Sequence, residues 1–128
     1  MAEASYPEDL LYHSEHDWAR IQGEQATFGI TWYAQDALGE VVFFDPPQVG
    51  AQVTKDDSYT EVESVKAVSD VIAPLSGEVV EVNQGLVQAP EQINEDPYGE
   101  GWLVKVKLSE PSEADSLMDS AAYQAGLD

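Results

Sequence analysis

The spacing of apolar residues changes several times along the chain, and each change predicts a new element. Residues Trp18 to Ile30 mix aromatic, β-branched and polar side chains around Gly23, which predicts two strands joined by a turn. From Thr31 to Leu38 the spacing of Tyr33, Ala34, Ala37 and Leu38 is helical, with Thr31 as N-cap and Gly39 as the stop. Val41 to Phe44 form a short apolar strand that Pro46 and Pro47 end, because proline fixes φ and offers no ladder donor. Between Val49 and Leu86, valine-rich pieces alternate with Gly50, Asp56-Asp57, Pro74, Gly77 and Gly85, as in a run of short antiparallel strands. Gln88 to Gly101 is rich in Pro, Asn, Asp and Gly and reads as a long loop. In the last strand Trp102, Val104, Val106 and Leu108 alternate with Leu103, Lys105 and Lys107. Pro111-Ser112-Glu113 then offers a stop and a cap, after which Leu117, Met118, Ala121, Ala122 and Ala125 predict a terminal helix ending at Gly126 and packed on the β core. The string GEVV occurs at Gly39–Val42 and again at Gly77–Val80, a weak hint of internal two-fold similarity.

Composition sharpens this picture. With 128 residues, 43% of them hydrophobic, the chain is expected to fold as one domain, residues 1–128, around a genuine core. Twenty-five acidic residues against five basic ones give a formal net charge of -20, which disfavours nucleic acid and anionic membranes as partners. Basic-faced proteins or cationic ligands suit it better, although a well-solvated surface alone also accounts for the excess. With no cysteine, any redox chemistry must come from an added group. The start MAEASYPEDL lacks the pattern of a signal peptide, and no apolar stretch is long enough to cross a bilayer, so a cytoplasmic location is expected.

Few residues invite chemistry. Lys66 lies in Glu63-Ser64-Val65-Lys66-Ala67 between two strand-like pieces, where an exposed hairpin tip is expected. A hydrated, flexible lysine there suits modification better than Schiff-base catalysis, which needs desolvation to lower the amine's pKa. That setting alone does not separate it from an ordinary surface lysine. His13 and His16 sit beside Glu15 and Asp17, but without a third ligand or a nucleophile they make no metal site. Neither a serine elbow nor a glycine-rich phosphate loop is present, so no autonomous enzyme chemistry is expected.

The segment ESVKAVSD, Glu63 to Asp70, resembles the lipoylation segment of the glycine cleavage H-protein family. LYHSEHDW, GITWYAQDALGEVVF, PLSGEVVEVN and INEDPYGEGWLVKVK resemble that family's successive blocks, in order, from about Tyr6 to Gly126. The resemblance implies a mainly β, lipoyl-domain-like barrel-sandwich hybrid with a short helix near residues 31–38, a C-terminal helix and an internal pseudo-two-fold. It also implies lipoate joined by an amide to Lys66. On that reading the arm takes an aminomethyl group at glycine decarboxylase and yields its carbon to tetrahydrofolate at the aminomethyltransferase. Dihydrolipoamide dehydrogenase then reoxidises it, and the protein itself is a non-catalytic, monomeric carrier. Glu63 is implied in recognition by the lipoylating enzyme. Asp17, Tyr33 and Asp70 match positions of a cavity for the loaded arm, where carboxylates would keep the amine cationic. Asp17 stands where the family usually has glutamate, Trp32 where aspartate is common, and Asp45-Pro46-Pro47 replaces a more usual Glu-Leu-Pro.

Beside a purely structural acidic protein, which only modification of the chain would exclude, three alternatives remain open. A biotinyl domain fits less well, since Val65 and Ala67 rather than methionines flank the lysine, and a 2-oxo acid dehydrogenase lipoyl domain fits less well because the blocks at both ends of the chain resemble the H-protein family. An H-like relay protein for lipoyl or octanoyl groups shares every motif. A lysine-dependent enzyme using Glu63 and Asp70 requires a buried Lys66, whereas a carrier requires an exposed one.

Overall fold

The computed structural model describes residues 5–127, and its fold is mainly β with short helical segments. Two antiparallel sheets form it. The larger contains β1 (Leu11–His13), β2 (Asp17–Gln22), β3 (Gln25–Ile30), β9 (Val104–Leu108), β8 (Gly77–Val82) and β5 (Gln52–Val53), in that spatial order. The smaller has β4 (Val41–Asp45), β6 (Ser58–Ser64) and β7 (Val68–Ile72), with β6 central. The inner faces supply one core: Phe28, Val79, Val104 and Val106 from the large sheet, and Phe44, Val62 and Val71 from the small one, are all buried. Alternation puts them there, because successive side chains on a strand point to opposite faces.

The expected hairpin forms β2 and β3, with Gly23 at φ 66 in its turn. The expected helix is α1 (Trp32–Leu38): Thr31 Oγ1 accepts from the Ala34 N–H at 3.2 Å, and Gly39, at φ 84, closes it. The two GEVV strings each open a strand and bury the same position, Val41 in β4 and Val79 in β8. Their glycines serve different ends. At Gly77 a Cβ would lie 2.1 Å from the Lys107 carbonyl oxygen, so β8 and β9 need the bare backbone there.

Three expectations are corrected. Residues 88–101 are not a plain loop: α2 (Gly85–Gln88) leads into the segment and α3 (Gln92–Glu95) lies within it, each a single turn. Long-range bonds hold this stretch, including Trp18 Nε1–H to the Pro97 carbonyl at 3.0 Å and Arg20 to the Tyr98 carbonyl at 2.9 Å. The last strand starts at Val104, two residues later than read, and the Trp102 carbonyl is taken by Asn83 Nδ2–H and not by a neighbouring strand. The terminal helix α4 spans only Ser120–Ala125, capped by Asp119, after a 3-10 segment at Pro111–Ser116. Met118 is not helical, since its backbone exchanges two 2.8 Å hydrogen bonds with Tyr12. As a result α4 buries Tyr123 and Ser120, while Ala121, Ala122 and Ala125 face outward. Tyr123 joins Leu10, Tyr12 and Trp18 in a second, aromatic core, stacked on Tyr12 at 4.8 Å between ring centres. The strand β1 had no clear sequence signal.

Candidate functional site

The β6–β7 hairpin ends in a tip that its own residues fix. Ser64 Oγ accepts from the Lys66 N–H at 3.2 Å and from the Ala67 N–H at 3.1 Å, and the Ser64 N–H donates to the Ala67 carbonyl at 2.7 Å. From outside the hairpin, the Glu40 carbonyl accepts the Val65 N–H at 3.0 Å, which pins the tip to the turn between α1 and β4. Val65, Lys66, Ala67 and Val68 are exposed, as the sequence led us to expect. The lysine stem runs over Gly39, where a Cβ would lie 3.3 Å from Lys66 Cε. An exposed amine on a rigid pedestal is accessible to an acylating enzyme and lacks the burial that Schiff-base chemistry needs.

Beside the tip is a small cavity of about 50 Å³. Among its lining residues are Asp17 and Asp70, two of the three expected cavity positions, together with Glu15, His16 and Ser69. Leu38 and Val62 supply apolar wall. Asp17 is 2% exposed and its Oδ2 has no hydrogen-bond partner among the described residues. Burial first, and the nearby Glu15 charge second, push its carboxyl well above the usual carboxylate range. Asp70 is exposed at the rim. Tyr33, the third expected position, does not line the cavity directly; its ring packs on His16 at 4.4 Å between centres. Glu63 is not among the cavity-lining residues and is exposed on β6 opposite Val68.

The two histidines turn to different partners. His13 Nδ1 accepts from the Glu15 N–H at 3.0 Å, so Nε2 carries the hydrogen and donates to Asp56 at 2.7 Å. His16 adopts φ 75, which turns it toward α4, and its Nδ1 lies 2.7 Å from the Tyr123 hydroxyl. Thr31 Oγ1 lies 2.8 Å from the same hydroxyl. Burial lowers the His16 pKa and raises the Tyr123 phenol to about 12. The consistent arrangement is Thr31 donating to Tyr123, which donates to a neutral His16. The cavity wall is therefore tied to the C-terminal helix through one relay of hydroxyls. Sequence reasoning did not place His16 at the cavity, since its role depends on a left-handed backbone and on a partner 107 positions away.

Trp32 is half-buried, and its backbone N–H donates to the Tyr98 hydroxyl at 2.9 Å. Asp45 is exposed at the end of β4, where its carbonyl accepts the Thr60 hydroxyl. Neither Trp32 nor Asp45 is among the residues that line the cavity.

Comparison with known proteins adds four findings. The family model described as glycine cleavage H-protein matches residues 10–128. A glycine cleavage system H protein of Symbiobacterium thermophilum is 53% identical over 122 residues, covering 95% of each chain. The Rubrobacter xylanophilus protein of the same name is 56% identical over 107 residues, 84% of this chain and 85% of that one. Among solved structures, a glycine cleavage system H protein from Mycobacterium marinum superposes with TM-score 0.87 at 40% identity, covering 94% of this chain and 98% of its own.

Proposed function

The chain belongs to the glycine cleavage H-protein family, a carrier and not an enzyme of that system, and on this premise we propose that Lys66 bears its lipoyl group. The observation that carries the proposal is the pairing of an exposed lysine on a fixed tip with a neighbouring cavity that holds a buried, unpartnered carboxylate oxygen. These residues fit the group: the amine is free to form the amide, and the cavity suits a small cationic head. When bound, lipoate supplies the disulfide that accepts an aminomethyl unit and returns as a dithiol; the chain has no thiol to compete with it.

The residues around the cavity do the rest. A neutral amine beside sulfur can expel it, so the carrier must hold the amine protonated and keep water away. Asp17 is placed for the first task. In an empty cavity it is costly as an anion; a cation brought within about 4 Å gains roughly 4 kcal/mol at an effective dielectric of 20 and favours the ion pair. Asp70 and Glu15 add negative potential at the rim, and Leu38 and Val62 exclude water. Tyr33 braces His16, and through it the wall.

We assign the partners accordingly: glycine decarboxylase, aminomethyltransferase and dihydrolipoamide dehydrogenase in turn, with a lipoylating enzyme that reads Glu63 beforehand. The working unit is one domain of residues 1–128, monomeric and cytoplasmic, and no helix is long and apolar enough to cross a membrane among the described residues. The test is intact mass and peptide mapping after incubation with lipoate, ATP and a lipoyl-protein ligase. One lipoyl adduct on Lys66 is expected. No adduct, under conditions that modify a control H protein, overturns the assignment.

A further inference from the structure

A second and larger depression, about 820 Å³, lies between the end of α1, the start of β4 and α3. Gly39 and Glu40, which border it, are the residues that touch the Lys66 stem and the Val65 N–H. The groove is therefore in fixed register with the hairpin tip. Its walls are braced too. Asn94 donates to the Gln35 side chain at 3.1 Å and to the Gly39 carbonyl at 2.8 Å, and accepts from the Val41 N–H at 2.8 Å, which ties α3 to α1 and β4.

The chemistry of the groove is two-toned. Val42 and Pro90 supply apolar surface, and Val42 is 44% exposed. Asp36, Glu40, Glu91 and Glu95 stand around it, all exposed. None of the four is in an ion pair among the described residues; the ion pairs present use Asp56 and Glu81 instead. They are also too spread to act as one ligand set, since the described residues contain no group of three or more His, Cys, Asp or Glu able to hold a metal. Several separated anions around an apolar floor match a segment with several separated cations on methylene stems, as arginine and lysine provide.

We propose that this groove is the docking site for a basic segment of the enzymes that act on the Lys66 arm. The inference rests on Lys66 being the acylated residue, because register with the tip is what makes docking here productive. It also carries a selectivity. Forming an amide at Lys66 removes the positive charge near Gly39, at the border of the groove, so the groove attracts a cationic segment more strongly after modification than before. Enzymes that use the loaded carrier are favoured over the unmodified form by that difference.

Two measurements test this. In the first, a hexa-arginine peptide is titrated into isotope-labelled protein at physiological salt, before and after lipoylation. Amide shifts centred on Gly39, Val41 and Glu95 are expected, with tighter binding to the lipoylated form; shifts spread evenly over the acidic surface overturn the proposal. In the second, lipoylated Glu91→Gln/Glu95→Gln is compared, using aminomethyltransferase, with a Glu24→Gln/Glu78→Gln control whose positions lie in the β2–β3 turn and on β8. Neutralising the groove should raise KM about fivefold with kcat unchanged, and should flatten its salt dependence. Equal KM values for the two variants, each with wild-type melting behaviour, overturn it. If Lys66 accepts no lipoyl group, the carrier assignment fails by that result alone, and the shift map of the unmodified protein still decides whether the groove takes a basic segment.

Discussion

The small cavity and the wide groove border the same hairpin tip, and both present carboxylates, but under opposite physical conditions. In the cavity Asp17 is buried with an orphaned oxygen, so its charge is costly and its pKa is raised. In the groove Asp36, Glu40, Glu91 and Glu95 stand in water, where their charges cost little and salt screens them. A buried acid discriminates by protonation state and by what enters with it. Exposed acids act over a distance and discriminate by net charge. On the proposals made above, the same side-chain chemistry would serve retention on one side of Lys66 and encounter on the other.

The comparison can be broken most completely at the element both sites share. Lys66→Arg keeps a positive charge but cannot form the acyl amide, so mass spectrometry should find modification abolished; wild-type adduct levels would place the attachment elsewhere and detach both depressions from the function. The next largest effect is expected at Gly39, whose φ of 84 and ψ of -163 lie in a region essentially reserved for glycine. Gly39→Ala should cost about 1–3 kcal/mol in urea unfolding and push the Lys66 stem aside, and wild-type stability would show that the junction is not constrained.

Asp17→Asn sharpens the contrast through pH. The folded-state pKa of Asp17 is raised, so the folded protein binds more protons than the unfolded chain between the unfolded value near 3.8 and the folded one. The stability contribution of Asp17 is therefore fully present below about pH 3.8 and lost as pH rises through its folded pKa. The asparagine variant should gain roughly 1–2 kcal/mol at pH 8 and lose that advantage on acidification, as followed by thermal melts. An advantage independent of pH would remove burial of the charge as the distinction between the two sites. The smallest effect is expected from salt at the cavity: raising ionic strength should hardly move the Asp17 titration by NMR while weakening basic-peptide binding at the groove. Equal sensitivity would mean the two carboxylate sets are equally solvated.

Much of the fold was legible because its signals are local. Thr31 and Gly39 bracket α1 by capping alone, and alternation places Val104, Val106 and Leu108 inward. Where the reading departed from the structure, distant partners decided. Met118 pairs with Tyr12 across the chain and stops the helix that its apolar spacing suggested, and Trp18 and Arg20 organise the Pro97–Tyr98 turn from about 80 positions away. The site divides in the same way. The motif around Lys66 singles it out as the proposed attachment point, while the burial of Asp17 and the turn of His16 toward Tyr123 arise only when β2, α1 and α4 meet.

The bonds of Ser64 at the hairpin tip have a kinetic consequence. A tether anchored to a loose loop sweeps the volume of loop and tether together, whereas one anchored to a fixed point sweeps only its own length. Cargo joined to Lys66 then meets the neighbouring cavity as an intramolecular event, at an effective concentration in the millimolar range for a short flexible link. Return to the cavity becomes independent of how much protein the cell contains. A partner enzyme must compete with that local concentration, so its advantage has to come from how it seats the whole domain and not from affinity for the cargo alone.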